Sequence, residues 1–147
     1  MNAPIVNNPF ETQLRVIFGD TDAGGIVYHP RYLEMAERGR NETMRALGLD
    51  VGALFRDKDI GLVLRSSNAK YRNPAHFDDT LTIHTSLKKL ASASSVWISN
   101  IRRGPTPICY VTAELVCICR NTLRPIMYPS YVTESFKRAL ASGEVNQ

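Results

Sequence analysis

The chain has 147 residues, 44% of them hydrophobic and 22% charged, with 18 Lys and Arg against 14 Asp and Glu. That length suits one compact domain with a core of its own, and the apolar content excludes a disordered chain. The charge is uneven: residues 1–60 carry 7 basic and 9 acidic residues and residues 61–147 carry 11 and 5, which excludes a uniform basic coat and leaves either an anionic partner or a plain solvated basic face for the second part.

Residues 1–10, with Pro4 and Pro9, read as a loose arm. The opening MNAPIVNNPFETQ has neither a basic n-region nor an apolar h-region, so no signal peptide is expected. Residues 12–18 (TQLRVIF) read as a strand that stops at the turn formers GDTDAGG, residues 19–25. A helix is predicted from about Pro30 to Leu47, with His29 at or near its cap and Gly48 as its stop. Leu33, Ala36, Thr43, Met44 and Leu47 form its apolar face; Glu34, Glu37, Arg38, Arg40, Glu42 and Arg45 cover the rest. A short helix is predicted over Val51–Arg56.

After Gly61 the apolar period changes to two. Four strands are predicted: Leu62–Tyr71, Thr80–Leu90, Ser94–Arg102 and Ile108–Arg120. Turn signals separate them at 73–79, 90–94 and 103–107. The last strand holds Cys109, Cys117 and Cys119. Three cysteines without an export signal read as reduced thiols in a cytoplasmic protein, and a lone C-x-C lacks the other two ligands of a metal site. A final helix is predicted from Tyr131 to Ala141, with Ser130 as its N-cap. No apolar run approaches the roughly 18 residues of a membrane span. No nucleic-acid module or dinucleotide fingerprint is present, and no nucleic-acid partner is expected.

Strands joined by short turns imply an α+β chain with an antiparallel sheet. The long helix has one apolar face and must lie on one face of that sheet. The remaining sheet edges call for a second copy, so a homo-oligomer is expected.

The stretch GDTDAGGIVYHPRYLEMAERGR, residues 19–40, is the richest in chemistry. It sets Asp20 and Asp22 in a Gly-rich loop that feeds the N-terminus of the longest helix. Free N–H groups there can hold a developing oxyanion, and a carboxylate beside them can act as base or nucleophile on a carbonyl carbon. Gly24 and Gly25 let the backbone come close to a ligand. The plain alternative is a well-made turn with an Asp cap. His76 and His84 read as surface or packing residues, and no metal site is expected.

The string DTDAGGIVYHPRYLEMAE resembles the first-loop signature of the hotdog-fold acyl-CoA thioesterases of the 4-hydroxybenzoyl-CoA thioesterase type. It is nearest to their YbgC-like branch, associated with the Tol–Pal system. Tyr71, Pro74, Ala75, Asp78 and Asp79 resemble the family's strand-turn-strand signature, and the element order resembles the hotdog order. The likeness runs from about Leu14 to Tyr128. It implies one hotdog domain over 1–147, a five-stranded antiparallel sheet wrapped around one long helix, with 130–147 as C-terminal helix and tail.

The resemblance also implies roles. Asp22 is the catalytic carboxylate, as nucleophile or as the base for water. His29 offers its backbone N–H to the thioester oxygen, and its side chain has been proposed to assist. Tyr28 lines the acyl pocket beside Gly25, and Asp20 shapes the loop. The substrate implied is a small or medium acyl-CoA, cut to free acid and coenzyme A with no resident cofactor; acyl carrier protein is an alternative carrier. Some members bind the coenzyme A phosphates with Arg or Lys in the turn after the third strand. Here that turn is Ala91-Ser92-Ala93, so Lys88, Lys89, Arg102 and Arg103 are the replacement candidates, with Arg65, Lys70 and Arg72 also available on the preceding strand. Two other readings are a hotdog hydratase and a non-catalytic acyl-CoA or acyl carrier protein binding module.

Overall fold

A computed structural model describes residues 10–142. The arm expected over 1–10 lies outside them except for Phe10. That residue is buried, and its carbonyl accepts from the Thr85 amide at 2.8 Å.

The elements in chain order are β1 (Glu11–Arg15), a 3₁₀ turn (Phe18–Asp20), α1 (Arg31–Ala46), α2 (Val51–Asp57), β2 (Ile60–Tyr71), β3 (Thr80–Leu90), β4 (Ser94–Arg103), β5 (Thr106–Cys119) and α3 (Ser130–Ser142). The strands form one five-stranded sheet in the order β1-β3-β4-β5-β2, antiparallel throughout. Helix α1 lies on one face of it, as expected of a hotdog fold.

Helix α1 has no internal Pro and is rich in Glu, Arg, Met and Ala, all good helix formers. Tyr32, Met35, Ala36, Gly39, Arg40, Thr43 and Met44 are its buried residues, at spacings of one, three and four. Gly39 sets the closeness of the packing. A Cβ there would stand 2.7 Å from Ile83 Cγ2 and 2.9 Å from Thr85 Oγ1. The helix ends in a Schellman motif: Gly48 takes φ +91°, its amide donates to Arg45 O at 3.0 Å, and the Leu49 amide donates to Met44 O at 2.9 Å.

Three expectations need correction. The first strand ends at Arg15, not Phe18. Val16 instead bonds to the 72–79 loop, and the Asp20 carboxylate accepts the Ile17 amide at 3.0 Å. The chain therefore closes into a 3₁₀ turn that leaves Phe18 78% exposed. On α1 the buried stripe is rotated: Leu33 is only half-buried, while Tyr32, Met35 and the charged Arg40 are buried. Ser130 stands inside α3, where Pro129 O receives the Val132 amide at 3.0 Å.

The core has two apolar clusters. One gathers Val16, Val27, Tyr32, Ala36, Ile83 and Ile101. The other gathers Phe10, Met44, Leu47, Trp97, Cys117 and Phe136, and α3 seals it. A polar set stands apart from both: Arg40 and Thr43 on the helix, and Thr85 opposite Ser99 on the sheet. No helix among the described residues is long and apolar enough to cross a membrane.

Candidate active site

Two loops run side by side across one end of the sheet. Residues 16–29 meet residues 72–79 through the Ile26–His76 bridge and through Val27 N–H to Ala75 O at 2.9 Å. Val16 N–H to Asp79 O at 2.8 Å closes the far side. The Arg103 guanidinium pins the second loop, donating to Pro74 O at 3.0 Å and to Asp79 Oδ2 at 2.9 Å. Burial pushes the Asp79 carboxyl up, but the His76 amide and the Arg103 guanidinium together outweigh it and hold the group below its usual value.

The first loop carries both acids. Asp20 is structural: Oδ2 takes the Ile17 amide, and its carbonyl takes the Tyr28 amide at 2.8 Å. Asp22 is exposed. Its Oδ1 accepts the Gly24 amide at 2.8 Å, an Asx turn that aims the carboxylate. A Cβ at Gly24 would stand 3.1 Å from that oxygen. Gly25 takes φ +81°, and its amide closes the turn onto Asp22 O at 2.9 Å. Among the described residues nothing donates to Asp22 Oδ2.

His29 stands just ahead of α1. Its carbonyl takes the Tyr32 amide at 3.3 Å, while its own amide donates to no group among the described residues. The imidazole is exposed, edge-on to Tyr28 at 5.1 Å and to Tyr71 at 6.0 Å. An open, mainly apolar cavity of about 340 Å³ lies against it, lined by Ile26, Val27, His29, Tyr32, Tyr71, Arg72, Asn73 and Pro74. Burial pushes the Tyr32 hydroxyl up, and that hydroxyl accepts the Ala75 amide at 3.3 Å. The arrangement pairs a free amide with an apolar slot, and the Asp22 amide is tied at 3.0 Å to Ile26 O on the slot's wall. Asp22 and Tyr28 flank the cavity without lining it.

The sequence offers Arg72 only as one of several cations and Tyr71 only as part of the strand-turn-strand signature, and gives Tyr32 no part in the site; all three line the cavity. Tyr32 follows the N-cap Pro30 by two residues, Tyr71 ends β2 and Arg72 follows it beside the turn formers at 73–74; those positions are the available signals. The four proposed phosphate contacts are dispersed. Arg103 is committed to the 72–79 loop, and Arg102 donates to Pro105 O. Lys88 and Lys89 sit at a bulge near the opposite end of β3, and Lys89 acts on the Glu114 carboxylate. Cys109 and Cys117 are buried, and burial pushes their thiols to about 12 and about 11, so neither is a thiolate at neutral pH.

Residues 16–140 match the thioesterase-like superfamily, and the chain belongs to it. The acyl-CoA thioesterase YbgC of Haemophilus influenzae is 29% identical over 90% of this chain and 97% of its own length. The acyl-CoA thioester hydrolase YbgC of Escherichia coli O6:H1 is 31% identical, over 88% and 96%. The crystal structure of a probable thioesterase from Bartonella henselae matches with a TM-score of 0.77 at 32% identity, covering 81% of this chain and 98% of that one.

Proposed function

We propose that the chain is a cytoplasmic acyl-CoA thioesterase that works as a homo-oligomer, with Asp22 as its catalytic carboxylate. The carrying observation is the exposed Asp22 carboxylate, aimed by its Asx turn, on the loop that leads to an unpaired His29 amide and an apolar slot at the head of α1. The superfamily membership and the YbgC relatives support the substrate class. Coenzyme A arrives as part of the substrate, and the reading needs no resident cofactor.

In this reading the thioester oxygen sits on the His29 amide, which gains strength as the oxygen becomes negative. Asp22 either attacks the carbonyl carbon or takes a proton from the attacking water; in both routes the sulfur leaves as the coenzyme A thiol and water completes the acid. Label in the Asp22 carboxylate after a single turnover in ¹⁸O-water establishes the attack route, in which water opens the acyl–aspartyl anhydride at the Asp22 carbon. Arg72, on the cavity wall, is the phosphate-side cation this geometry favours; Lys88 and Lys89 serve only from farther along the substrate or from a second copy.

The test is thiol release from a panel of acyl-CoAs by the full chain. Asp22→Asn, still folded by circular dichroism, is expected to lose at least about a hundredfold in kcat. Wild-type turnover in that variant would remove Asp22 from the reaction. Tight acyl-CoA binding by the wild-type chain without turnover would favour a binding module instead.

A further inference from the structure

Away from the slot at His29 the structure holds a further cavity, of about 350 Å³, where the second half of α1, α2 and the start of β2 meet. Asn41 and Arg45 line it from α1, Val51, Phe55 and Arg56 from α2, and Leu62 from β2. None of the residues that line it is acidic. It is separate from the slot: Val63 on its wall and Tyr71 on the wall of the slot stand eight residues apart on β2, about 26 Å along the strand.

Its cations are available to a ligand. Arg56 makes no hydrogen bond or ion pair among the described residues. Its guanidinium folds back along α2 onto Gly52, which also lines the cavity: a Cβ there would stand 2.7 Å from Arg56 Nη1. The absent side chain thus gives the guanidinium its seat in the wall. Arg45 meets only Glu42, at 3.7 Å, with both side chains more than half exposed; a surface pair of that kind is easily exchanged for another anion. The carboxylate of Asp50, just ahead of α2, holds the Ala53 amide at 3.0 Å. The Asn41 side chain has no partner among the described residues.

The rest of the wall is apolar and partly open to water: Phe55 is 49% exposed and Val63 41%. The Arg120 guanidinium fixes Phe55, lying 3.8 Å over its ring and donating to its carbonyl at 2.8 Å. Exposed apolar surface beside unpaired guanidiniums suits a molecule that carries both characters.

We propose that this cavity is a second ligand site, for an anionic amphiphile: an oxyanion head on Arg45 and Arg56, and an alkyl body against Val51, Phe55 and Leu62. A guanidinium offers parallel N–H groups to a carboxylate or a phosphate monoester alike, and the alkyl body gains by leaving water on the apolar wall. The head therefore comes from a free carboxylic acid or from a phosphorylated alkyl chain. The site stands independently of the thioesterase reading.

Titration calorimetry of the full chain with octanoate, octyl phosphate and inorganic phosphate tests this. At least one octyl anion is expected to bind at least about tenfold tighter than inorganic phosphate. Tighter octanoate assigns the site to a carboxylic acid, and tighter octyl phosphate to a phosphate monoester. Arg56→Met should weaken that binding by about tenfold or more. Gly52→Ala keeps both charges, displaces the guanidinium from its seat and should weaken it severalfold. In the double variant Arg45→Met, Arg56→Met this binding should be lost, while kcat/KM for octanoyl-CoA stays within about twofold of wild type. No binding of either octyl anion, equal binding of all three anions, or octyl binding that survives in the double variant overturns the proposal; the last places the anion in the slot at His29. Loss of turnover together with binding in the double variant makes the cavity part of the reaction site and overturns its separateness. If the wild-type chain turns over no acyl-CoA, the thioesterase reading fails and the binding results still decide this one.

Discussion

At the scale of single residues, the site is built from bonds that set one atom each. The Gly24 amide aims Asp22, the Asp20 carboxylate holds Ile17, and Arg103 ties Pro74 to Asp79. The last of these is a charge interaction with a definite pH dependence. The folded carboxyl of Asp79 lies below its ordinary 3.8. A depressed pKa contributes stability that is present above the unfolded value and lost as pH falls through the folded one. Asp79→Asn keeps an acceptor for the His76 amide and removes the charge. It should lower the Tm at pH 7 by a few degrees, and the gap to the wild-type chain should close below about pH 4. Thermal melts from pH 7 to pH 3 check this; a gap that is constant with pH would mean that Asp79 acts through shape and not charge.

At the scale of elements, the contact that seats α1 is Gly39 on Ile83 and Thr85. An Ala there gains about 1 kcal/mol of helix propensity but forces two strand-borne side chains apart, which costs about 1–3 kcal/mol. Gly39→Ala should be the less stable chain in urea, with reduced turnover, because α1 carries the head of the site with it. A variant more stable than wild type would show that the helix can lift without loss. Such contacts also mark what the amino-acid pattern could convey. The strands of the sheet were legible because period-two runs end at strong turn formers such as RGPTP, and the loop–helix signature located Asp22 and His29. The rotation of α1 was not legible: Leu33 is more apolar than Tyr32, and only the sheet's position decides which one is covered. Arg40 reads as solvated because charge predicts exposure, and only the tertiary packing decides that it is covered. Phe18 failed in the opposite sense, since a hydrogen bond from Ile17 to Asp20 overrides its apolar character.

At the scale of the whole molecule, the two sheet edges are unequal. Strand β1 has 5 residues and β2 has 12. A long exposed edge is a template for pairing, and this one runs beside the site: Tyr71 at its end is 52% exposed and lines the cavity with His29. Antiparallel pairing of β2 with the β2 of a second copy would cap that edge and supply the missing wall of the slot. The basic excess of residues 61–147 would then flank two sites and not one. Adjacent residues of an antiparallel strand direct their N–H groups to opposite sides. Of Ser67→Pro and Asn68→Pro, one therefore removes an inner bond to β5, while the other removes only an outward donor. The outward variant should keep its circular dichroism spectrum, sediment as a monomer of 16.4 kDa and lose turnover, whereas the wild-type chain should sediment as a dimer or tetramer. A wild-type chain that turns over fully as a monomer would show that each subunit carries a complete site and that β2 is capped by other means.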